Sequence, residues 1–352
     1  MSPQLFQPFK IGTTTLKHRV VLAPLTRYKA EINHVPYLPL VSDYYSQRAS
    51  RPGTLLITEA TFITARVGGE AHVTDSVHAK GSFIFMQLYA LGRTADPAEL
   101  ISEDASFPYV SASDVQLTGR DTPPRPLSVQ EINEYIALYA QAAKNAISAG
   151  FDGVEVHNSN GYILDQFLQD VSNKRTDAYG GSIENRARFT LEVVDAVVAA
   201  IGVEKTGIRF SPWSLFQDMG MIDPIPTFSY VISALAARHP DLAYVHLIEA
   251  RINGNAARDE SQVGAHELND GLLALWAPRP LIRAGGFSRA GALTAAEAGA
   301  LIAFGRFFIA NPDLPTRLEK DVPLNPYDRS TFNLIGENSP RGYTGQPFTV
   351  AA

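Results

Sequence analysis

The chain has 352 residues and a formal charge of -6, and no run of Lys and Arg that could follow a phosphate backbone, so a nucleic-acid partner is not expected. It holds no cysteine, which removes disulfides and thiolate metal sites from consideration. With 45% apolar and 19% charged residues it can bury a large core, yet no stretch reaches the roughly 18 consecutive apolar residues of a membrane span.

Residues 1–8 lack a basic start followed by an apolar run, so they do not read as a signal peptide and a cytoplasmic protein is expected. Residues 9–18 hold two short extended pieces around Gly12, Thr13 and Thr14, which predicts a β-hairpin closing the bottom of the domain. Eight short β-branched or aromatic runs follow, at 19–23, 54–59, 82–88, 153–157, 206–211, 243–248, 280–284 and 300–305. Longer segments of helical period separate them, the signature of repeated βα units. The clearest helix lies between the third and fourth runs. Ser128 and Glu131 have capping-box spacing, Ile132, Ile136, Tyr139, Ala143 and Ala146 recur on one face, and Gly150 ends it. Eight parallel strands separated by helices predict an α/β fold, a (β/α)8 TIM barrel in one domain spanning 1–352, ahead of an open Rossmann-like sheet.

In such barrels the active site is built at the carboxyl ends of the strands. The turns after the seventh and eighth strands read Ala284-Gly285-Gly286-Phe287 and Phe304-Gly305-Arg306-Phe307. Small residues there let an anion approach backbone N–H groups, and a guanidinium suits a bidentate phosphate grip, so a phosphorylated ligand is expected. For either turn alone, strand-ending glycines and a surface ion pair of Arg306 explain the residues as well. At the end of the fourth strand His157 and Asn160 stand three apart, where both can aim donors at one oxygen. Tyr162 follows, protonated at neutral pH and able to act as a general acid. Individually these three read as a packed core His, a capping Asn and a packing Tyr; together they point to chemistry. Arg209 lies in the apolar run of the fifth strand, where its charge needs an anion, an electron-rich ring or a salt bridge to an acid such as Glu155. Zinc-type His/Glu spacing, a Gly-x-Ser-x-Gly elbow and a P-loop are all missing, so hydrolase and NTPase readings have no support.

Residues 151–157, then Asn160-Gly161-Tyr162, Asp165-Gln166-Phe167-Leu168 and 173–186 resemble the Old Yellow Enzyme family, FMN-dependent NADPH ene-reductases, and more closely its fungal branch. The resemblance covers nearly the whole chain. It implies FMN across the barrel mouth, with Pro24, Leu25, Thr26, Ala60 and Gln87 around the isoalloxazine and Arg209 beside the N1/O2 edge. Gly285, Gly286, Gly305 and Arg306 would hold the FMN phosphate. It further implies that NADPH reduces FMN and leaves, and that an enone or enal then binds with its oxygen on His157 and Asn160. Hydride passes from flavin N5 to the β-carbon and Tyr162 protonates the α-carbon. Tyr343 resembles a pocket-wall aromatic, and Tyr89 stands where the family commonly has Trp. A place in fungal secondary metabolism, on an unsaturated aldehyde, fits this branch.

One departure stands out. Residues 69–78 are too few for the substrate-facing loop and full second barrel helix of the family, and 74–80 resemble only the tail of that helix. A truncated helix predicts an exposed apolar outer face on the neighbouring strands. A more open pocket, a covering partner or second copy, or a splice or gene-model variant would each account for it. Two other readings therefore stand beside the reductase: a non-catalytic or impaired flavin-binding protein, and a barrel enzyme acting on a sugar phosphate.

Overall fold

The computed structural model describes residues 2–31, 34–63 and 71–349. Among them eight parallel strands close into a barrel: β1 (Val20–Leu22), β2 (Leu55–Ile57), β3 (Phe83–Tyr89), β4 (Gly153–Asn158), β5 (Thr206–Phe210), β6 (Tyr244–Ile248), β7 (Leu281–Ala284) and β8 (Leu301–Phe304). Each pairs with the next, and β8 pairs back onto β1 through Ile302 opposite Val20. All eight expected strands form, within one or two residues of the expected ends. Their alternation follows from the period of two along a strand. Ile208 and Phe210 of β5 and Val245 and Leu247 of β6 face outward into the helix layer, while Tyr244 faces the barrel interior with Phe85, Leu55, Val21 and Ile282.

The predicted hairpin is present, with Phe9–Ile11 antiparallel to Thr14–Leu16. Its Ile11 and Leu16 are buried and pack into the same interior cluster as Val21, Leu55 and Leu301, so the hairpin plugs the amino end of the barrel. Gly12 turns it with φ of +51°, and a Cβ there would lie 2.0 Å from the carbonyl oxygen of Glu204. Just above the plug, Gly153 and Gly207 leave room for aromatic rings: a Cβ on either would sit 2.5 Å from the ring of Phe85 or Tyr244. Burying a ring of this size contributes about 1.5–3 kcal/mol.

The outer layer comprises α1 (Leu40–Arg48), α2 (Ala71–His78), α3 (Val129–Ser148), α4 (Ile183–Ile201), α5 (Ile225–Arg238), α6 (Asp270–Trp276), α7 (Arg289–Glu297) and α8 (Leu314–Lys320). The capping box of α3 forms in both directions, and Ile132, Tyr139, Ala143 and Ala146 are buried while Ile136 is half-buried. None of the helices among the described residues is long and apolar enough to cross a membrane.

Among the described residues the second helix runs over eight residues, Ala71–His78; residues 64–70, which include part of the segment expected to be short, lie outside the described ones. The expected exposed apolar face does not follow, and that expectation is corrected. Leu56, Ile84, Met86 and Leu88, the outward residues of β2 and β3, are all buried, at most 7% exposed. They share one core cluster with Val73 and Val77 of α2. Ser76 ties α2 to α1 through the Ser42 carbonyl at 3.2 Å, and Thr74 ties it to the end of α3 through the Ala149 carbonyl at 2.9 Å. Two valines and two anchoring hydroxyls seat the short helix over the strands.

Candidate active site

At the carboxyl end of the barrel opens a cavity of about 640 Å³. Its wall includes Pro24, Leu25, Thr26, Ala60, Gln87, His157, Asn160, Tyr162, Arg209, Gly285, Gly286, Gly305 and Arg306, so thirteen of the fifteen expected site residues meet in one place. The described wall contains four arginines, Arg27, Arg209, Arg306 and Arg329, and no Asp or Glu. Its charge therefore selects for an anionic ligand.

The strap after β4 explains its own sequence. Asn160 and Gly161 are both left-handed, with φ of +57° and +76°, a conformation that asparagine tolerates and glycine adopts without strain. The Asn160 N–H donates to Ser211 Oγ at 2.7 Å, the Gly161 N–H to Asp165 Oδ2 at 2.8 Å, and Gln217 Nε2 donates to the Asn160 carbonyl at 3.0 Å. Asp165 is completely buried and also accepts from Gln169 Nε2 at 2.8 Å; burial pushes its carboxyl up to about 6. A Cβ on Gly161 would lie 2.8 Å from Gln217 Cβ, so this turn accepts no larger residue without movement. The outcome is a rigid bend that leaves the Tyr162 ring edge-on to the His157 ring, with centroids 4.9 Å apart.

Burial, Arg209 and His246 hold the His157 ring well below the ordinary histidine value, so it is neutral. Burial and Tyr28 push the Tyr162 phenol up, which keeps its proton in place at neutral pH. Beneath them lies a polar layer inside the barrel. Glu155 accepts from Gln87 Nε2 at 2.6 Å and meets His246 Nδ1 at 2.8 Å, with all three side chains almost completely buried. Burial works against the charge of Glu155, but His246, Arg209 and Gln87 together hold its carboxyl below its ordinary value. Arg209 forms no ion pair with Glu155: the carboxylate is occupied by Gln87 and His246, and Arg209 Nε is buried without a hydrogen-bond partner among the described residues. Burial lowers the guanidinium's pKa, and the neighbouring Glu155 counters that. A buried cation without an ion pair of its own, on the wall of a cavity lined by arginines and no described carboxylate, is half of an interaction.

Gly285 and Gly286 carry φ of +143° and +71°. A Cβ on Gly285 would fall 2.6 Å from Glu249 Cβ, and one on Gly305 would fall 2.9 Å from Leu25 Cδ1. Arg306 packs over the Tyr327 ring at 5.4 Å and has no carboxylate partner among the described residues, against the surface ion pair considered for it.

Two expected pocket residues do not reach the wall. Tyr89 sits one layer behind it, stacked on Phe62 at 4.9 Å and edge-on to Tyr162 at 5.0 Å. Tyr343 is corrected more fully: it is 0% exposed and stacks on Tyr44 at 4.1 Å, because Arg27 and Lys29 draw the carboxyl-terminal segment inward by its backbone carbonyls. The wall near it is instead made by Phe332, Asn333 and Arg329. Those residues, with Tyr28 and Phe216, lie on irregular segments that carry no periodic signal. Tyr28, in the loop after β1, and Phe216, in the loop after β5, could have been sought from their positions past strand ends.

The family model described as the NADH:flavin oxidoreductase / NADH oxidase family matches residues 4–325. A chanoclavine-I aldehyde reductase of Penicillium roqueforti is 49% identical, over 99% of this chain and 97% of that protein. An NADP-dependent oxidoreductase of Aspergillus flavus is 44% identical over 100% and 98%. A probable inactive reductase of Epichloe festucae var. lolii is 41% identical over 98% and 95%. Among solved structures, the Old Yellow Enzyme of a Pichia species superimposes with a TM-score of 0.88 at 38% identity, covering 99% of this chain and 95% of that one. The alignment to the Penicillium protein runs over 367 positions, more than the 352 residues of this chain, so the relative has residues that are missing internally here.

Proposed function

The chain belongs to the NADH:flavin oxidoreductase / NADH oxidase family, in the fungal branch of the Old Yellow Enzymes, and on that premise we propose that it reduces the activated C=C bond of α,β-unsaturated carbonyl compounds with NADPH. It is an FMN-dependent oxidoreductase. The residues present fit the cofactor. Arg209 has an orphaned buried Nε at the cavity floor, Arg306 has no carboxylate of its own, and Gly285, Gly286 and Gly305 leave a cradle that side chains would fill. Gly286, Gly305 and Arg306 would hold the phosphate, and Gln87, Thr26 and Arg209 the ring system.

When bound, FMN supplies the hydride that the substrate's β-carbon accepts. His157 and Asn160 would hold the carbonyl oxygen with two donors, drawing electron density from the double bond. Tyr162, kept protonated, would deliver its proton to the α-carbon, a task worth roughly 10²–10⁴ in rate for a positioned general acid. Arg209 would stabilise negative charge on the reduced ring. The observation that carries this reading is the convergence of neutral His157, Asn160 and protonated Tyr162 on the one cavity floored by unpaired Arg209.

Purified protein should be yellow, bleached by NADPH and recoloured by a simple enone; a stable colourless protein that takes up no FMN would overturn the reading. The aldehyde named for the Penicillium relative makes an unsaturated aldehyde of fungal secondary metabolism the first natural substrate to try. A second reading, a flavin-binding protein without turnover, takes support from the relative named as probably inactive and from the shortened α2. Flavin uptake with no enone turnover would select it.

A further inference from the structure

Ser159, between the two carbonyl-binding candidates, is 0% exposed, and its Oγ lies 3.0 Å from His157 Nδ1. That contact can be made in two ways. If Nδ1 carries the proton and donates, the Ser159 hydroxyl hydrogen is left buried with no acceptor, since its Oγ has no other partner among the described residues. Such an unsatisfied group costs about 1–3 kcal/mol. If the hydroxyl donates to Nδ1, both atoms are satisfied and the single proton of the neutral imidazole must sit on Nε2. His157 lies on the cavity wall, and no described residue bonds its Nε2.

We infer that Ser159 is a positioning residue: its hydroxyl donates to Nδ1 of His157 and holds the ring in the Nε2–H tautomer, so that an N–H faces the cavity. The tautomer follows from hydrogen-bond accounting alone; that this N–H meets a substrate carbonyl rests on the proposed function. A neutral N–H donor polarises an oxygen without surrendering its proton, which leaves Tyr162 as the acid. Without the Ser159 hydroxyl no described hydrogen bond selects between the two tautomers, and the Nδ1–H form would present a lone pair to the carbonyl oxygen.

The test is the nitrogen spectrum of His157 in FMN-loaded enzyme labelled with 15N-histidine, assigned by the signal lost in His157→Asn. The expected result is a protonated-type Nε2 and an unprotonated, acceptor-type Nδ1. A protonated Nδ1, alone or with Nε2, overturns the inference. In Ser159→Ala the ring should show a mixture of tautomers, and KM for cyclohex-2-enone should rise about 2- to 10-fold, the effect of one neutral hydrogen bond, with a smaller change in kcat. Ser159→Thr, which keeps the hydroxyl, should restore both. An alanine variant with wild-type tautomer and KM would also overturn it. An Nε2–H ring in a wild-type enzyme that turns over no enone would support the tautomer assignment and remove the substrate reading instead.

Discussion

The two ends of this barrel are built on opposite principles. At the amino end, Ile11 and Leu16 of the hairpin and the rings of Phe85 and Tyr244 over two glycines fill the interior with apolar matter. At the carboxyl end, the same strands carry Gln87, Glu155, Arg209 and His246 into the interior, and both Arg209 Nε and His246 Nε2 lack a hydrogen-bond partner among the described residues. One end is complete through packing; the other holds donors and charge in place for a ligand. The polar layer persists because Glu155 ties Gln87 and His246 together, and because the plug beneath keeps the strands in register.

Mutations at the two ends should therefore fail in different ways. Phe85→Ala should have the largest effect on folding, about 3–5 kcal/mol by chemical denaturation, because the ring fills the space over Gly153. A loss below about 1 kcal/mol would show that the lower layer repacks easily. Arg306→Ala should weaken FMN binding by about 1.5–3 kcal/mol, the worth of a charge-assisted hydrogen bond, while apoprotein stability shifts by no more than about 0.5 kcal/mol. Titration of apoprotein with FMN, beside denaturation of the same sample, separates the two effects. Asp165→Asn should cost about 1–3 kcal/mol, because the Gly161 N–H and Gln169 Nε2 donate to different carboxyl oxygens, and an amide would set an NH2 donor against one of them. An Asp165→Asn protein of wild-type stability would show that the strap is not held from below.

The smallest effect per residue is a pH slope shared by both ends. Burial lowers the pKa of His18 at the lower end to about 3, and holds those of His157 and His246 at the upper end below the ordinary value. Below the unfolded-chain value near 6.5 the unfolded state takes up protons that the folded state refuses, so stability is full above that pH and falls as the pH drops. Each histidine contributes at most about 1.4 kcal/mol per pH unit. Denaturation midpoints should decline from about pH 6.5 toward 5; a flat profile would contradict the buried neutral rings.

Most of the barrel was legible because its strands are short β-branched runs and its longest helix announces itself with Ser128, Glu131 and Gly150. The strap was legible because His157, Asn160 and Tyr162 follow a strand end directly. The polar layer was legible only in part. Glu155 could be seen as a partner for Arg209, but its true partners come from β3 and β6, which strand-by-strand reading does not bring together. Tyr343 was misplaced for a related reason. The segment after α8 has no period, and its path is set by Arg27, Lys29 and Arg48 bonding its carbonyl oxygens. The consequence drawn from the short α2 failed because coverage of a strand depends on where two valines land, not on helix length.

Proton-coupled reduction at the upper end is the function on which the roles of His157, Asn160, Tyr162 and Arg209 all depend. The most direct measurement is anaerobic: reduce the flavin of wild-type and Tyr162→Phe protein with NADPH, then follow its reoxidation by cyclohex-2-enone in a stopped-flow spectrometer. The wild type should recolour rapidly, and reoxidation should be slowed roughly 10²–10⁴-fold in the variant. Equal rates in the two proteins, or no recolouring of the wild type, would contradict it.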